Sequence, residues 1–264
     1  MTARPAQPAR VAPGACPLYP RPVTTAAAII IGDEILSGKV RDVNTPLLVD
    51  LLCEIGVSLQ RLVVIGDDIA TIADEVRGCS AGHHVVVTSG GLGPTHDDRT
   101  VEAVAAAFDV RLVSHPEIEA LIRFHWGPRL TAAALRMALV PEGARLLHAD
   151  DRLLPLVVIR NLYLLPGVPE LFRVKLQSLR QELRGQRPHL RSLFLRSDES
   201  AVAHHLTLVD QEFPAVKIGS YPRFEPTDHS LWVTLESLDR DALEGAVARL
   251  IGLLPADELV RTEP

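Results

Sequence analysis

Lysine is scarce in this chain: only Lys39, Lys175 and Lys217 occur, so 24 of its 27 cations are arginine. Against 33 Asp and Glu the formal net charge is −6, which excludes a general nucleic-acid coat. Cysteine is equally thin. Cys16, Cys53 and Cys79 are odd in number and form no C-x-x-C pair, so neither a disulfide framework nor a zinc knuckle is supported. A reducing compartment is expected. No run reaches the ~18 apolar residues of a membrane span, and the run at 26–31 sits too late and is too short for a secretory signal. The chain is therefore expected to be soluble and cytoplasmic, with no membrane partner. Walker A, G-x-G-x-x-G and H-E-x-x-H motifs are missing too. The adjacent pairs His83-His84 and His204-His205 diverge on a strand or lie ~100° apart on a helix, so neither makes a ready metal clamp.

Apolar material is plentiful. At 47% of 264 residues it suffices for one large domain, or for a medium one plus a small one. Residues 1–24 stand apart, with six of the 20 prolines, three arginines and no acid. That composition resists helix and strand, and a disordered tail is expected.

From residue 25 the pattern alternates. Continuous apolar runs at 26–31, 59–65 and 84–88 alternate with helical spacing at 45–55, 69–79 and 99–108. Such strands, separated by helices, fit a parallel sheet covered on both faces, so residues 25–185 are expected to form a doubly wound α/β domain. Helices over 116–126 and 131–139, a strand pair at 153–159 and 162–165, and a closing helix at 168–183 complete it. Residues 184–188 read as a linker. The segment 190–264 follows the order β-α-β-β-α-β, with strands at 192–196, 216–220, 231–235 and 258–261 and helices at 199–209 and 239–253. A small ferredoxin-like α+β subdomain is expected there.

Ligands of open α/β sheets bind beyond the carboxyl ends of the strands. The first strand ends in Gly32-Asp33-Glu34, and the third in a loop holding Ser89, Gly90, Gly91, Gly93, Thr95, Asp97, Asp98 and Thr100. Three glycines in four residues allow positive φ and let amide N–H groups face an anion. Asp97 or Asp98 could cap the helix that follows. Spacing alone leaves a phosphate cradle and an ordinary turn equally open. Asp33, Glu34, Asp97 and Asp98 share one sheet edge, and acids beside phosphates make sense mainly around a hard cation such as Mg²⁺. Asp33, Asp97 and Asp98 are the candidate catalytic and metal-holding residues. His96 could assist proton transfer or serve as a loop donor. Trp126, Trp232 and Phe124 read as core.

The phrases G-D-E-I-L-S-G at 32–38, N-T at 44–45, S-G-G-L-G-P-T-H-D-D-x-T-x-E-A at 89–103 and L-P-G-V-P-E-L at 165–171 resemble the molybdopterin-binding superfamily. Within it they are similar to the branch shared by competence/damage-inducible protein A and the N-terminal domain of eukaryotic FAD synthase. The stretch L-V-V-I-R-N-L-Y-L-L-P-G at 156–167 and I-G-S-Y-P at 218–222 favour the FAD-synthase side. The resemblance implies a homo-oligomer that binds a phosphorylated pterin or an adenine dinucleotide and, in this branch, a metal-dependent pyrophosphatase acting on FAD or ADP-ribose. It adds Gly32, Glu34, Asn44, Pro166, Gly167 and Glu170 to Ser89, Gly90, Gly91, Gly93, Thr95 and Thr100 as substrate-binding candidates. Asp98 falls on the acid of the G-G-T-G-x-x-x-R-D loop of adenylyltransferase relatives. Asp97 replaces the Arg before it, which argues against molybdopterin adenylylation and adds a carboxylate. The stretch 146–156 lacks the N-P-x-G-x-A-P-G loop of the competence proteins. No PP-loop signature is present, so FAD synthesis is not expected. The alternative function is a molybdopterin- or flavin-binding module without turnover.

Overall fold

The computed structural model describes residues 24–148, 154–224 and 228–264. The expected tail up to residue 23, Cys16 within it, part of the stretch 146–156 and the first residue of the strand expected at 153–159 lie outside the described residues. The chain divides into two compact units, the first ending at Gly185 and the second beginning at Gln186.

In the first unit β1 (Thr25–Ile31) is buried throughout. Ala26 and Ala28 belong to one core, and Ala27, Ile29 and Ile31 to another. Side chains alternate across a strand, so a strand buried on both sides reads as an unbroken apolar run. The chain continues through α1 (Asp33–Leu36), α2 (Asn44–Glu54), β2 (Ser58–Ile65), α3 (Ile69–Gly82), β3 (Val85–Ser89) and α4 (Thr100–Phe108). Next come β4 (Leu112–Ser114), α5 (Pro116–Trp126), α6 (Ala132–Arg136), β5 (Leu139–Pro141), β6 (Arg145–Leu147), β7 (Leu156–Ile159), β8 (Leu162–Leu165) and α7 (Pro169–Glu182).

The main sheet has the order β2-β1-β3-β8-β7-β6. Its first four strands are parallel, and β7 and β6 add an antiparallel margin. One face packs on α2 and α7 through Leu48, Leu52, Phe172 and Leu179; the other packs on α3 and α4 through Ile72, Val76, Val104 and Phe108. The unit is a doubly wound α/β domain, and the carboxyl ends of β1, β2, β3 and β8 form one edge.

The middle of the chain departs from the sequence reading. The helix expected at 131–139 stops at Arg136, and Leu139–Pro141 instead pairs with β4 in a two-stranded ribbon. Three-residue strands are too short to display a period of two, and the run 134–140 looks helical until Pro141 ends it. Phe124, expected in the core, is 82% exposed.

The second unit comprises β9 (His189–Leu195), α8 (Glu199–Glu212), β10 (Lys217–Pro222), β11 (Leu231–Ser237), α9 (Arg240–Leu253) and β12 (Leu259–Glu263). Its sheet has the order β10-β11-β9-β12, antiparallel throughout, which is ferredoxin-like. Helices α8 and α9 pack on one face through Val202, Val209, Leu243 and Leu250 against Leu193 and Val233.

Candidate functional site

Three strand ends and one turn build the site. After β3 the backbone turns through Gly90 at φ 110° and Gly91 at φ 65°. A Cβ at Gly90 would run into the Ile31 carbonyl at the end of β1, and one at Gly91 into the Thr100 hydroxyl. Only glycine fits both the conformation and the space. Thr100, fully buried, locks the turn: its hydroxyl donates to Gly90 O (2.8 Å) and its amide to Gly91 O (3.2 Å). With both carbonyls committed, the N–H groups of Gly91, Leu92 and Gly93 donate to nothing among the described residues. Three consecutive amides without acceptors beside a cavity are donors left over for a ligand or water.

A brace holds this turn against the next. Asn44, 5% exposed, donates through Nδ2 to Ser89 Oγ (3.1 Å) and Gly167 O (2.8 Å), and Ser89 Oγ donates to Pro166 O (3.4 Å). Asp42 fixes Asn44 by accepting from the amides of Asn44 (2.9 Å) and Thr45 (3.0 Å). Gly167 approaches so closely that a Cβ there would lie 3.3 Å from Gly90 Cα. Ser89, Asn44 and Thr100 thus spend their polar groups inside the protein. Asn44 Oδ1 is buried without a donor, a place for an ordered water.

The carboxylates fall into two groups. Asp98 accepts from the Thr95 amide (2.9 Å) and its hydroxyl, closing a short turn. The α4 N-cap residue is Arg99, with no side-chain cap, so neither Asp97 nor Asp98 caps that helix as the sequence suggested. Asp97 is exposed, and the nearby Thr95 hydroxyl, its own amide and His96 hold its carboxyl below the usual range. Asp33 lies on the β2 side, where its amide donates to Asp67 Oδ2 (2.9 Å). Sequence reasoning missed Asp67. Partial burial raises its pKa, and Asp33, Glu34 and Asp97 push it further up, while the Asp33 amide opposes. The rule that pointed to Asp33 and Asp98, an acid on the loop after a parallel strand, also covers Asp67 after β2.

Glu34, Gly90, Gly91, Gly93, Asp98, Pro166 and Gly167 line a cavity of about 1130 Å³. This exceeds the ~300–1,000 Å³ common for small-molecule sites. Gly32, Asp33, Asn44, Ser89, Thr95, Asp97, Thr100 and Glu170 lie outside its lining, and Glu170 is exposed on the first turn of α7. Away from the glycine turn the wall is largely apolar, with Leu112, Ile118, Met137, Leu139, Leu164 and Leu171. Trp126, His125, Arg129, Arg136 and Lys175 also line it; Arg136 pairs with Glu102, another lining residue, at 3.3 Å. This wall was not legible beforehand, because it comes from the irregular α5 to β7 region.

Hard carboxylate oxygens on the loops after β1, β2 and β3 suit Mg²⁺ by donor type. Among the described residues no three His, Cys, Asp or Glu side chains are already grouped to hold a metal ion. The structure does not bring Asp33, Asp97 and Asp98 together as a preformed triad.

A doubly wound sheet with a cavity at its carboxyl edge places the opening where open α/β sheets take their ligands. Residues 27–185 match the family model described as "Probable molybdopterin binding domain", and residues 187–263 match that of the FAD synthase middle domain. The chain belongs to the molybdopterin-binding domain family. It is 33% identical over 260 residues to a "Probable FAD synthase" of Caenorhabditis elegans, covering 87% of this chain and 50% of the relative, so it spans about half the length of that protein. A protein of Pyrococcus horikoshii is 32% identical over 215 residues, covering 75% of this chain and 84% of the relative. Among solved structures, CinA of unknown function from Thermoplasma acidophilum matches with TM-score 0.56 and 30% identity, over 60% of this chain and 97% of that one. No helix among the described residues is long and apolar enough to cross a membrane.

Proposed function

We propose that this chain is a metal-dependent hydrolase that cleaves the pyrophosphate of an adenine dinucleotide, FAD or ADP-ribose, as a cytoplasmic homo-oligomer. One observation carries the reading. The unpaired amides of Gly91, Leu92 and Gly93 share a cavity with Glu34 and Asp98, and the remaining wall is largely apolar. A dinucleotide has the matching two-part chemistry, an anionic bridge and flat apolar rings.

The amides would hold phosphate oxygens and stabilise the charge that grows on them as the anhydride breaks. The apolar wall would seat a ring and keep bulk water away. Asp33, Asp97 and Asp98, drawn together from their separate loops, would hold a divalent cation such as Mg²⁺, with Asp67 beside Asp33. When bound, that ion supplies charge neutralisation and lowers the pKa of a water molecule. Asp97, held ionised to low pH, keeps its acceptor oxygens available across the neutral range.

The test is incubation of the chain with FAD or ADP-ribose and a panel of Mg²⁺, Mn²⁺ and Ca²⁺, with chromatography for FMN, AMP and ribose phosphate. Products that require both protein and metal are expected; intact substrate at every metal overturns the reading. A second reading, a flavin- or molybdopterin-binding module without turnover, draws on the commitment of Asp98 to Thr95. It predicts calorimetric binding of the same compounds with no product.

A further inference from the structure

The second unit has helices on one face of its sheet and a row of rings on the other. Tyr221 on β10 is registered opposite Trp232 on β11, Trp232 opposite Phe194 on β9, and Phe194 opposite Arg261 on β12. One residue from each strand thus forms a single line across the sheet, on the side away from Leu195 and Leu231 of the core. The ring centroids of Tyr221 and Trp232 lie 4.9 Å apart, and those of Trp232 and Phe194 lie 6.4 Å apart with planes within 6°. The Arg261 guanidinium sits 3.9 Å above the Phe194 ring, held there by Asp228 and Glu263. Tyr221 is 48% exposed, so the line is open at one end.

We infer that this face is a second ligand site, which takes a planar heteroaromatic ring bearing a phosphate, such as a flavin or purine mononucleotide. Trp232 and Phe194 are half-buried and pack on one another, with Arg261 over Phe194 and His229 edge-on against it at 4.8 Å, so they form a rigid backing for Tyr221, the ring of the row on which a ligand ring can stack whatever its hydrogen-bonding edge. An aromatic row in a core would be closed over. Here the row ends in half-exposed Tyr221, and the chain beyond it carries Arg223, whose guanidinium pairs with no carboxylate among the described residues. The Arg223 amide donates to Ser230 O at 2.8 Å, which orders the backbone beside the row. A cation two residues along the chain from Tyr221, without a carboxylate partner among the described residues, complements a phosphorylated ring. Single-stranded nucleic acid fits less well, because residues 186–264 hold eight Lys and Arg against thirteen Asp and Glu.

This site is distinct from the glycine-turn cavity and does not depend on the hydrolase reading. The whole chain is titrated with FMN and with riboflavin, and quenching of flavin fluorescence is read. FMN is expected to bind and be quenched, with riboflavin weaker. Tyr221→Ala, at a half-exposed position, should raise the FMN Kd about tenfold while thermal melting stays cooperative. Arg223→Ala should bring FMN down to the affinity of riboflavin, and Asp98→Asn should leave FMN binding unchanged. Unquenched FMN, or quenching untouched by Tyr221→Ala and abolished by Asp98→Asn, would overturn the proposal. Competition by an equal concentration of an octanucleotide would overturn it in favour of RNA. The Asp98→Asn chain also separates the two sites, since its loss of turnover tests the hydrolase while its FMN binding tests this face.

Discussion

A methyl group at Gly90 would collide with the backbone of β1, which cannot move without unpairing the sheet, whereas one at Gly91 meets the Thr100 side chain. The two substitutions should therefore differ. Gly90→Ala is expected to cost at least ~3 kcal/mol or to prevent folding, and Gly91→Ala about 1–2 kcal/mol, the price of a left-handed alanine. Gly91→Ala should also weaken dinucleotide binding, because a displaced Thr100 releases the Gly90 carbonyl and reorients the free amides. Urea denaturation and calorimetry check both, and equal small losses would mean that the turn is not held as described. Asp67 supplies a test by pH. Its pKa is raised in the folded state by burial, with Asp33, Glu34 and Asp97 adding to the shift. A carboxyl shifted upward adds stability below its unfolded pKa and withdraws it as pH climbs through the folded value, so at pH 7 ionised Asp67 opposes folding. Asp67→Asn should raise the Tm slightly at pH 7, by no more than ~0.5 kcal/mol of stability given solvent screening, and this gain should vanish near pH 3. A lower Tm at pH 7 would show that the Asp33 amide bond outweighs the repulsion. Asp67 escaped notice in the sequence for a physical reason. Gly66-Asp67-Asp68 follows an edge strand whose loop carries no glycine run, so nothing there advertised an anion site.

At the scale of elements, the site depends on three segments joined by one amide. Asn44 at the start of α2 reaches the end of β3 and the turn between β8 and α7. Asn44→Ala would leave Gly167 O without its buried donor, and a loss of about 1–3 kcal/mol is expected. Asn44→Asp should be at least as harmful, since it offers an acceptor to an acceptor. Ligand affinity should fall with stability in both, which thermal melts and calorimetry can follow; full affinity in a destabilised Asn44→Ala chain would separate the brace from the site. The exposed turn from Thr95 to Asp98 calls for the opposite pattern. Asp97→Asn and Asp98→Asn should leave the Tm nearly unchanged while lowering metal-dependent turnover ~100-fold or more. Wild-type turnover in both would remove this loop from the chemistry. This difference marks what sequence can convey. The glycines, the doubled acid and the Pro166-Gly167 turn stand out as residue types, and their loops could be placed from the strands that precede them. The inward turning of Ser89, Asn44 and Thr100 could not be foreseen, because a hydroxyl or amide reads the same whether it faces a ligand or a carbonyl.

For the molecule as a whole, the architecture was legible wherever burial imposes a strict period. The parallel strands, covered on both faces, appear as unbroken apolar runs, and the β-α-β-β-α-β order of the second unit could be read from alternating segments of ordinary length. The stretch from β4 to β7 was not, since its strands of three or four residues pair within the same neighbourhood and borrow their burial from α5 and α6. That stretch supplies the apolar wall of the cavity, so the shape of the site was hidden while its polar end was visible. All residues that line the cavity fall between Glu34 and Lys175, and the cores around them draw on nothing beyond Leu183. The exit from the first unit is itself tied down, as the Gly185 amide donates to Ile55 O at 2.9 Å. A chain ending at Gly185 keeps every one of these contacts, and the remaining unit has a core of its own. Such a shortened chain should melt cooperatively, hold the calorimetric affinity of the full chain for FAD or ADP-ribose within about threefold, and lose the FMN site assigned to the four-stranded sheet. If it folds but binds neither dinucleotide, the residues named around the glycine turn do not suffice for binding, and the assignment of the ligand to the first unit fails.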